Sequence, residues 1–214
     1  GDGFVDGEGA SYDVTGTQTL PGYSANTFTY GLNAGTIATN YEITTVQGTL
    51  TVKDREELYE ITVEANSGSK TYDGQPLTVS GLKETTFTVD GNVYTVSGLT
   101  AEISNTDAGT YPVNVVGTAV VTDAAGNDVT RQFSVATKNG ELKINPRQVT
   151  LTSATGSKKY DGNALTNTVV TAEGFVEGQG AVYNVTGTQT LVGNSKNTFT
   201  YTLNAGTKAA NYTV

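Results

Sequence analysis

The chain contains no cysteine, histidine, methionine or tryptophan. Without thiol and imidazole side chains it cannot form a disulfide, a Cys or His zinc site, a thiol nucleophile or a Ser-His-Asp triad. Because histidine is the most common general acid or base, most enzyme chemistry is excluded as well. We therefore expect a protein that is not an enzyme, with no catalytic residue and no organic cofactor.

Basic residues are also scarce, with 12 Lys and Arg against 21 Asp and Glu and a formal charge of -9. This charge is opposite to the one that attracts a phosphate backbone or an anionic lipid surface, so nucleic acid is not an expected partner. No apolar run approaches the roughly 18 residues of a transmembrane helix, and there is no signal peptide or initiating Met. We interpret the chain as a fragment of a longer protein, without membrane insertion.

The residues that are present favour strands and turns. Thr occurs 39 times and Gly 26 times, Val and Tyr are frequent, and there are only four Pro. The strong helix formers never cluster with a 3.6-residue period. The composition therefore predicts an all-β fold.

Internal repeats divide the chain. Residues 3–43 match residues 174–214 without a gap, at an offset of 171 and with 29 identities in 41 positions. Residues 61–78 match residues 149–166 at an offset of 88. A repeat of this kind indicates tandem copies of one supersecondary unit.

The repeats predict three regions: the C-terminal part of a module at residues 1–53, a complete central module at 54–146, and the N-terminal part of another at 147–214. The offset of 88 pairs Tyr111 with Phe199. It places the nine extra residues of the central module in one longer hairpin around Asp123.

Incomplete modules leave a sheet edge exposed, which strand donation or domain swapping can satisfy. We therefore hypothesise that residues 1–53 supply closing strands to residues 147–214, in the same chain or in a neighbouring one. The alternative is that both flanking regions are partly disordered.

Several segments show strand and hairpin patterns. Phe28, Tyr30 and Leu32 alternate with smaller residues, as do their copies in the second repeat, which predicts half-buried strands with aromatic rings facing a core. Asp90-Gly91 and Gly126-Asn127 lie between β-branched runs and predict tight hairpin turns.

The segment Asp107-Ala-Gly109-Thr-Tyr111 is typical of the corner where an immunoglobulin-like strand begins and a Tyr hydroxyl bonds back to upstream backbone. We therefore predict tandem small immunoglobulin-like β-sandwich modules in an elongated array. Modules of a β-grasp type are the alternative.

A Tyr-Asp-Gly motif occurs at residues 72–74 and again at 160–162, each time after Gly-Ser-Lys, and the closing segments read Asn40-Tyr-x-Ile and Gly48-Thr-Leu-Thr-Val. These motifs resemble the YDG and MBG repeat domains of bacterial, commonly Gram-positive, surface proteins. The resemblance covers nearly the whole chain. It implies an extracellular cell-surface or cell-wall protein whose repeats adjoin neighbouring modules, and it carries over no binding residues.

Two sets of residues are candidates for chemistry. The first set is expected to form structural turns, with sugar recognition as the alternative, and comprises Tyr72, Asp73, Gly74, Tyr160, Asp161 and Gly162. The second set, Asp123, Asn127 and Asp128, places three oxygen ligands in one loop. A weak calcium site is conceivable there, although a turn without metal is the preferred interpretation.

Two functions remain open. The near-identical repeats favour a stalk or spacer that presents an adhesive domain. The diverged central module leaves the alternative of an adhesin that itself binds a host glycan, mucin or matrix protein.

Overall fold

The computed structural model describes all residues from Gly1 to Val214 and consists of strands joined by turns, with three 3-10 segments and no α-helix. This confirms the all-β expectation. The β-branched and aromatic residues fill the strands, and glycines with positive φ occupy many of the turns.

The first region contains four strands and one 3-10 segment. They are β1 (Ala10–Val14), β2 (Gly22–Asn26), β3 (Phe28–Leu32), a 3-10 segment (Ala38–Asn40) and β4 (Gly48–Val52). β1 pairs with β3 and β2 pairs with β4, both antiparallel. The predicted closing strand β4 therefore pairs inside its own region.

The central module contains nine strands. They are β5 (Tyr59–Glu64), β6 (Gly68–Thr71), β7 (Leu77–Ser80), β8 (Thr86–Val89), β9 (Asn92–Asn105), β10 (Gly109–Val113), β11 (Val115–Asp123), β12 (Phe133–Lys138) and β13 (Gly140–Asn145), with a 3-10 segment at Thr130–Gln132. One sheet has the order β10-β13-β6, and a second has β11-β9-β7 with β8 beside β9. β5 pairs with β12.

The third region contains six short strands. They are β14 (Arg147–Gln148), β15 (Thr150–Ser153), β16 (Val170–Glu173), β17 (Ala181–Val185), β18 (Phe199–Leu203) and β19 (Tyr212–Thr213), with a 3-10 segment at Ala209–Asn211. β15 pairs with β16 and β17 with β18, antiparallel, and β14 pairs with β19 in parallel.

The main buried cluster draws on both sheets of the central module and on the third region. Its members are apolar or aromatic and nearly fully buried: Ala65, Tyr72, Val79, Ala101, Val113, Leu142, Ile144, Val149 and Tyr212. β13 lies between an antiparallel and a parallel neighbour. The parallel β6–β13 pair departs from the purely antiparallel sheets of an immunoglobulin sandwich, so the choice of sandwich type stays a prediction.

The chain forms two compact units whose limits cross the central module. The first comprises Gly1–Ile61, Thr88–Thr95 and Val120–Ser134, and the second comprises Thr62–Phe87, Val96–Ala119 and Val135–Val214. The boundaries at 53/54 and 146/147 are therefore boundaries of the sequence repeats. That they are also domain boundaries stays a prediction.

The predicted hairpin at Asp90-Gly91 is confirmed. β8 pairs with β9 across this turn, and both central residues have positive φ, 48° and 79°. The strands at β3 and β18 are also confirmed. Their Phe and Leu residues are half-buried as expected, but Tyr30 and Tyr201 are exposed because each belongs to a two-stranded pair with a Tyr opposite.

The expectation that one loop holds all the extra residues of the central module is wrong. Three pairs of glycines with positive φ mark corresponding turns: Gly74 and Gly162, Gly109 and Gly193, and Gly126 and Gly206. The central module has 35 and 17 positions between its successive glycines, against 31 and 13 in the third region. The extra length is therefore distributed, and Tyr111 in β10 corresponds to a position before Phe199.

Candidate functional site

The most elaborate side-chain arrangement of the second compact unit is the junction of the central module with the third region. Tyr72, which follows β6, is 3% exposed, and its hydroxyl accepts a hydrogen bond of 2.7 Å from Nε2 of Gln179. The Tyr212 hydroxyl donates to Oε1 of the same amide. The rings of Tyr72 and Tyr212 meet edge to face at 5.4 Å. Gln179 therefore links two buried tyrosines, and burial raises the pKa of Tyr212.

Apolar contacts surround this amide bridge. Phe175 packs edge to face against the Tyr212 ring at a centroid distance of 5.0 Å. Val176 lies directly over Gly74, where an added Cβ would approach Cγ1 of the valine to 2.9 Å. Gly74 also has φ of 81°. The turn after Tyr72 thus needs glycine both for its backbone angle and for the close approach of Val176.

The second half of the junction is polar. Asn211 is 1% exposed, and its Oδ1 accepts from the backbone N–H of Ala108 at 2.7 Å. Its Nδ2 donates to Oδ1 of Asp107 at 3.0 Å, while Lys208 Nζ lies 2.5 Å from Oδ2. The bond from Asn211 and then that from Lys208 lower the pKa of Asp107. Both amide ends of a buried Asn are therefore satisfied.

The Lys208, Asp107 and Asn211 side chains have the composition of a Lys-to-Asn isopeptide site. Such chemistry requires a neutral lysine amine, which burial would favour. The Lys208 side chain is 65% exposed, and its contact with Asp107 raises its pKa. The arrangement therefore favours a charged lysine and an ion pair.

The predicted corner residues lie beside this junction. The Tyr111 hydroxyl donates to the backbone carbonyl of Asp107 at 3.2 Å. Gly109 has φ of 158°, and an added Cβ would lie 2.9 Å from the Tyr111 oxygen. The corner thereby holds the segment that presents Asp107 and Ala108 to Asn211.

Both Tyr-Asp-Gly motifs form turns of the same design. Oδ1 of Asp73 accepts from the backbone N–H of Gln75 and from Lys70 Nζ. Oδ1 of Asp161 accepts from the corresponding Asn163 N–H and from Lys158 Nζ. These bonds lower the pKa of both Asp carboxyl groups. The two motifs differ in exposure, since Tyr160 is 63% exposed.

The loop considered for calcium uses its oxygens internally. Oδ1 of Asp123 accepts from the N–H groups of Ala125 and Asn127, and the Asn127 side-chain amide donates to Oδ2. Oδ1 of Asp128 accepts from both donors of Thr130. These hydrogen bonds lower the pKa of Asp123 and Asp128. The arrangement explains the turn directly, and no acidic cluster of metal-binding type occurs in the chain.

No sequence pattern named above identifies Gln179, Lys208 and Asn211 as members of a junction. The signal that could have found them is the repeat, because the Asn211-Tyr212 pair recurs as Asn40-Tyr41. In the first copy the Tyr41 hydroxyl donates to Glu8, the counterpart of Gln179, at 2.6 Å. This bond raises the pKa of Tyr41.

Two clefts lie outside the junction. One, of about 320 Å³, belongs to the first compact unit and is lined by aromatic residues that include Tyr12, Phe28, Tyr30 and Tyr41. The other, of about 1030 Å³, belongs to the third region and lies between residues 153–160 and 187–199.

Comparison with protein-family profiles, curated proteins and solved structures finds no match to this chain. None of its helical segments is long and apolar enough to span a membrane.

Proposed function

We propose that the chain is a non-catalytic repeat region of a bacterial surface protein and acts as an extracellular stalk that presents an adhesive domain. The junction of the central module and the third region carries this proposal. An amide bridge between two buried tyrosines, a buried Asn and an ion pair fix one orientation of two adjoining segments. A spacer needs such defined junctions, because flexible links would not hold a terminal domain away from the surface.

The acidic composition suits this role. A net charge of -9 promotes solubility and limits nonspecific association in an exposed stalk. We also propose that the modules are tandem immunoglobulin-like sandwiches in an elongated array, and that the protein lies at the cell surface.

Spin-label distances test the stalk. The chain has no native cysteine, so labels introduced by Glu141→Cys and Lys196→Cys report one distance across the junction. We expect a narrow distance distribution that broadens when Asn211→Ala and Asp107→Ala are added. A broad distribution in the otherwise unchanged chain would remove the case for a rigid spacer. Asn40→Ala is the matched control, and it should leave the distribution narrow.

The aromatic cleft favours a second candidate, an adhesin that binds a glycan. Tyr12 and Tyr30 face each other in the β1–β3 register and are 49% and 40% exposed. Exposed tyrosine rings offer apolar faces together with a hydroxyl donor, which suits stacking on sugars.

A panel of mucins, glycans and matrix proteins tests this candidate. We expect saturable binding that is abolished by Tyr12→Ala. The corresponding change in the second copy, Tyr183→Ala, should leave binding intact. This pair of results would establish the cleft as a ligand site. If no member of the panel shows saturable binding, the adhesin candidate is rejected and the stalk is the one proposed function that is left.

A further inference from the structure

Two strands that lie far apart in the sequence run side by side in the central module. β6 is the second of its nine strands and β13 is the last, and they pair in parallel from Gly68 beside Leu142 to Thr71 beside Asn145. Because parallel strands point the same way, the start of β6 and the end of β13 lie at opposite ends of the pair. The chain therefore enters this ladder at one end and leaves it at the other.

Hydrogen bonds at both ends extend the contact beyond the paired positions. Before β6, the Ala65 N–H donates to the Lys138 carbonyl at 2.9 Å, and after β6 the Tyr72 N–H donates to the Asn145 carbonyl at 2.8 Å. The Lys138 Nζ also lies 3.2 Å from Oε1 of Glu64, which joins the ends of β5 and β12. One continuous segment, residues 64–72, is therefore bonded to residues 138–145.

Apolar side chains and a second neighbouring strand shield this ladder. β13 has β10 on its other edge, antiparallel, so both of its edges are bonded. Leu142 and Ile144 of β13 are 0% and 1% exposed, and they belong to the same buried cluster as Ala65 and Tyr72. β13 can therefore leave its place only by breaking hydrogen bonds along both edges and exposing core side chains to water.

The direction of a pulling force decides how such a ladder breaks. A force that pulls β6 by its start and β13 by its end acts along both strands, so all the hydrogen bonds between them are loaded together. A force that pulls both strands by the same end acts across the ladder, so the bonds break one after another. Tension along the chain produces the first geometry in the central module, because β6 and β13 are parallel.

We propose that the β6–β13 pair is a force-bearing clamp that keeps the central module folded when the chain is pulled from both sides. Tension reaches β6 through β5, and it reaches β13 from the third region, so the two strands are sheared past each other. The module resists extension in this way without a disulfide, since the chain has no cysteine. The use of the clamp under tension rests on the proposed stalk function, whereas its mechanical resistance is a property of the fold.

Single-molecule pulling in two geometries tests the clamp on the full chain. Handles attached through Lys53→Cys and Pro146→Cys load the ladder along its strands, whereas handles at Gln75→Cys and Pro146→Cys open it from the end where Thr71 lies beside Asn145. All three handle positions are exposed. We expect the rupture force to be at least about twice as high in the first geometry. Equal forces, or a lower force in the first geometry, would overturn the clamp.

A pair of substitutions locates the resistance. Oγ of Ser67, just before β6, accepts a hydrogen bond of 2.9 Å from the Glu141 N–H of β13. Ser67→Ala removes this bond and should make unfolding at constant force about fivefold faster in the first geometry. The second geometry should show little change, because it loads the other end of the ladder first.

The matched control for this substitution is Thr78→Ala. The Thr78 hydroxyl is also exposed, and its hydrogen bond of 2.9 Å with the Ser104 hydroxyl joins β7 to β9, outside the ladder. Thr78→Ala should therefore leave the unfolding rate under force unchanged. An equal acceleration by Thr78→Ala, or none by Ser67→Ala, would place the resistance elsewhere and overturn the clamp.

The pulling and spin-label experiments separate the clamp from the stalk. Equal rupture forces with a narrow spin-label distance distribution would reject the clamp and leave the stalk. Unequal rupture forces with a broad distribution would support the clamp as a property of the fold and reject the rigid stalk.

Discussion

The two copies of the 41-residue repeat have nearly the same sequence but different surroundings. In the second copy Asn211 is 1% exposed and Tyr212 7% exposed, whereas in the first copy Asn40 is exposed and Tyr41 half-buried. The internal contacts are the same in both copies, since each Tyr hydroxyl donates to residue 8 or its counterpart 179. The repeat therefore carries a docking face that is buried only where another part of the chain supplies a receiving surface.

The receiving surface is specific to the central module. Asp107 and Ala108 precede Gly109, whereas Leu191 and Val192 precede the corresponding Gly193 in the third region. On the docking side Lys208 is replaced by Ile37 in the first copy. Ile37 and Leu191, the residues that correspond to Lys208 and Asp107, are both apolar. They therefore cannot form an equivalent of the Lys208–Asp107 ion pair.

We expect the largest difference in stability between the two copies when the Asn that they share is replaced. Asn211 is buried, and Asn211→Ala removes the hydrogen-bond partners of the Ala108 N–H and of one Asp107 oxygen. The substitution should therefore lower the free energy of unfolding by about 2 to 3 kcal/mol. Asn40→Ala, at an exposed site, should cost less than about 0.5 kcal/mol. Denaturant unfolding measures both, and equal losses would show that the junction does not distinguish the copies.

The two Tyr-Asp-Gly turns should respond unequally to an added methyl group. Gly162→Ala adds strain from φ of 79° but meets open space, so it should cost about 1 kcal/mol. Gly74→Ala has the same strain and also presses on Val176, so it should cost about another 1 kcal/mol. Thermal unfolding of the two variants is the measurement, and a larger loss at Gly162 would contradict the packing described.

The hydroxyl groups of the same turns give a smaller difference. Tyr72→Phe leaves Gln179 Nε2 without its acceptor and should cost about 1 kcal/mol. Tyr160 is largely exposed, so Tyr160→Phe should be nearly neutral. Chemical denaturation of both variants tests this, and the idea fails if Tyr160→Phe proves the more costly.

The smallest effect is a pH dependence of the junction. Because the folded-state pKa of Asp107 is lowered, its contribution is present above the unfolded-state pKa and is lost as pH falls through the folded-state pKa. Hydrogen exchange at the Ala108 amide should therefore accelerate on acidification, relative to its intrinsic rate. Asp107→Asn should reduce this dependence, and an unchanged acid response in that variant would assign it to another carboxyl group.

Local features of the fold were predictable because their causes are local. Asp90-Gly91 forms its turn because both residues tolerate positive φ. Phe28 and Leu32 alternate with small residues and form β3. The position of the extra residues was not predictable from offsets, because insertions in separate turns add up to the same total as one long loop.

The junction could not be predicted because it combines residues distant in sequence. Asn211 and Ala108 are 103 positions apart, and an Asn before a Tyr has the same local pattern at residue 40, where it is exposed. Burying a polar amide is stable only where partners meet both of its ends. The partners come from the central module, not from the repeat.

The sequence alone determined an all-β chain of repeated units, with its tight turns and acidic surface, because strand alternation and turn chemistry act over a few residues. Only the tertiary structure decided which copy of the repeat is docked, since that depends on side chains brought together across about a hundred residues.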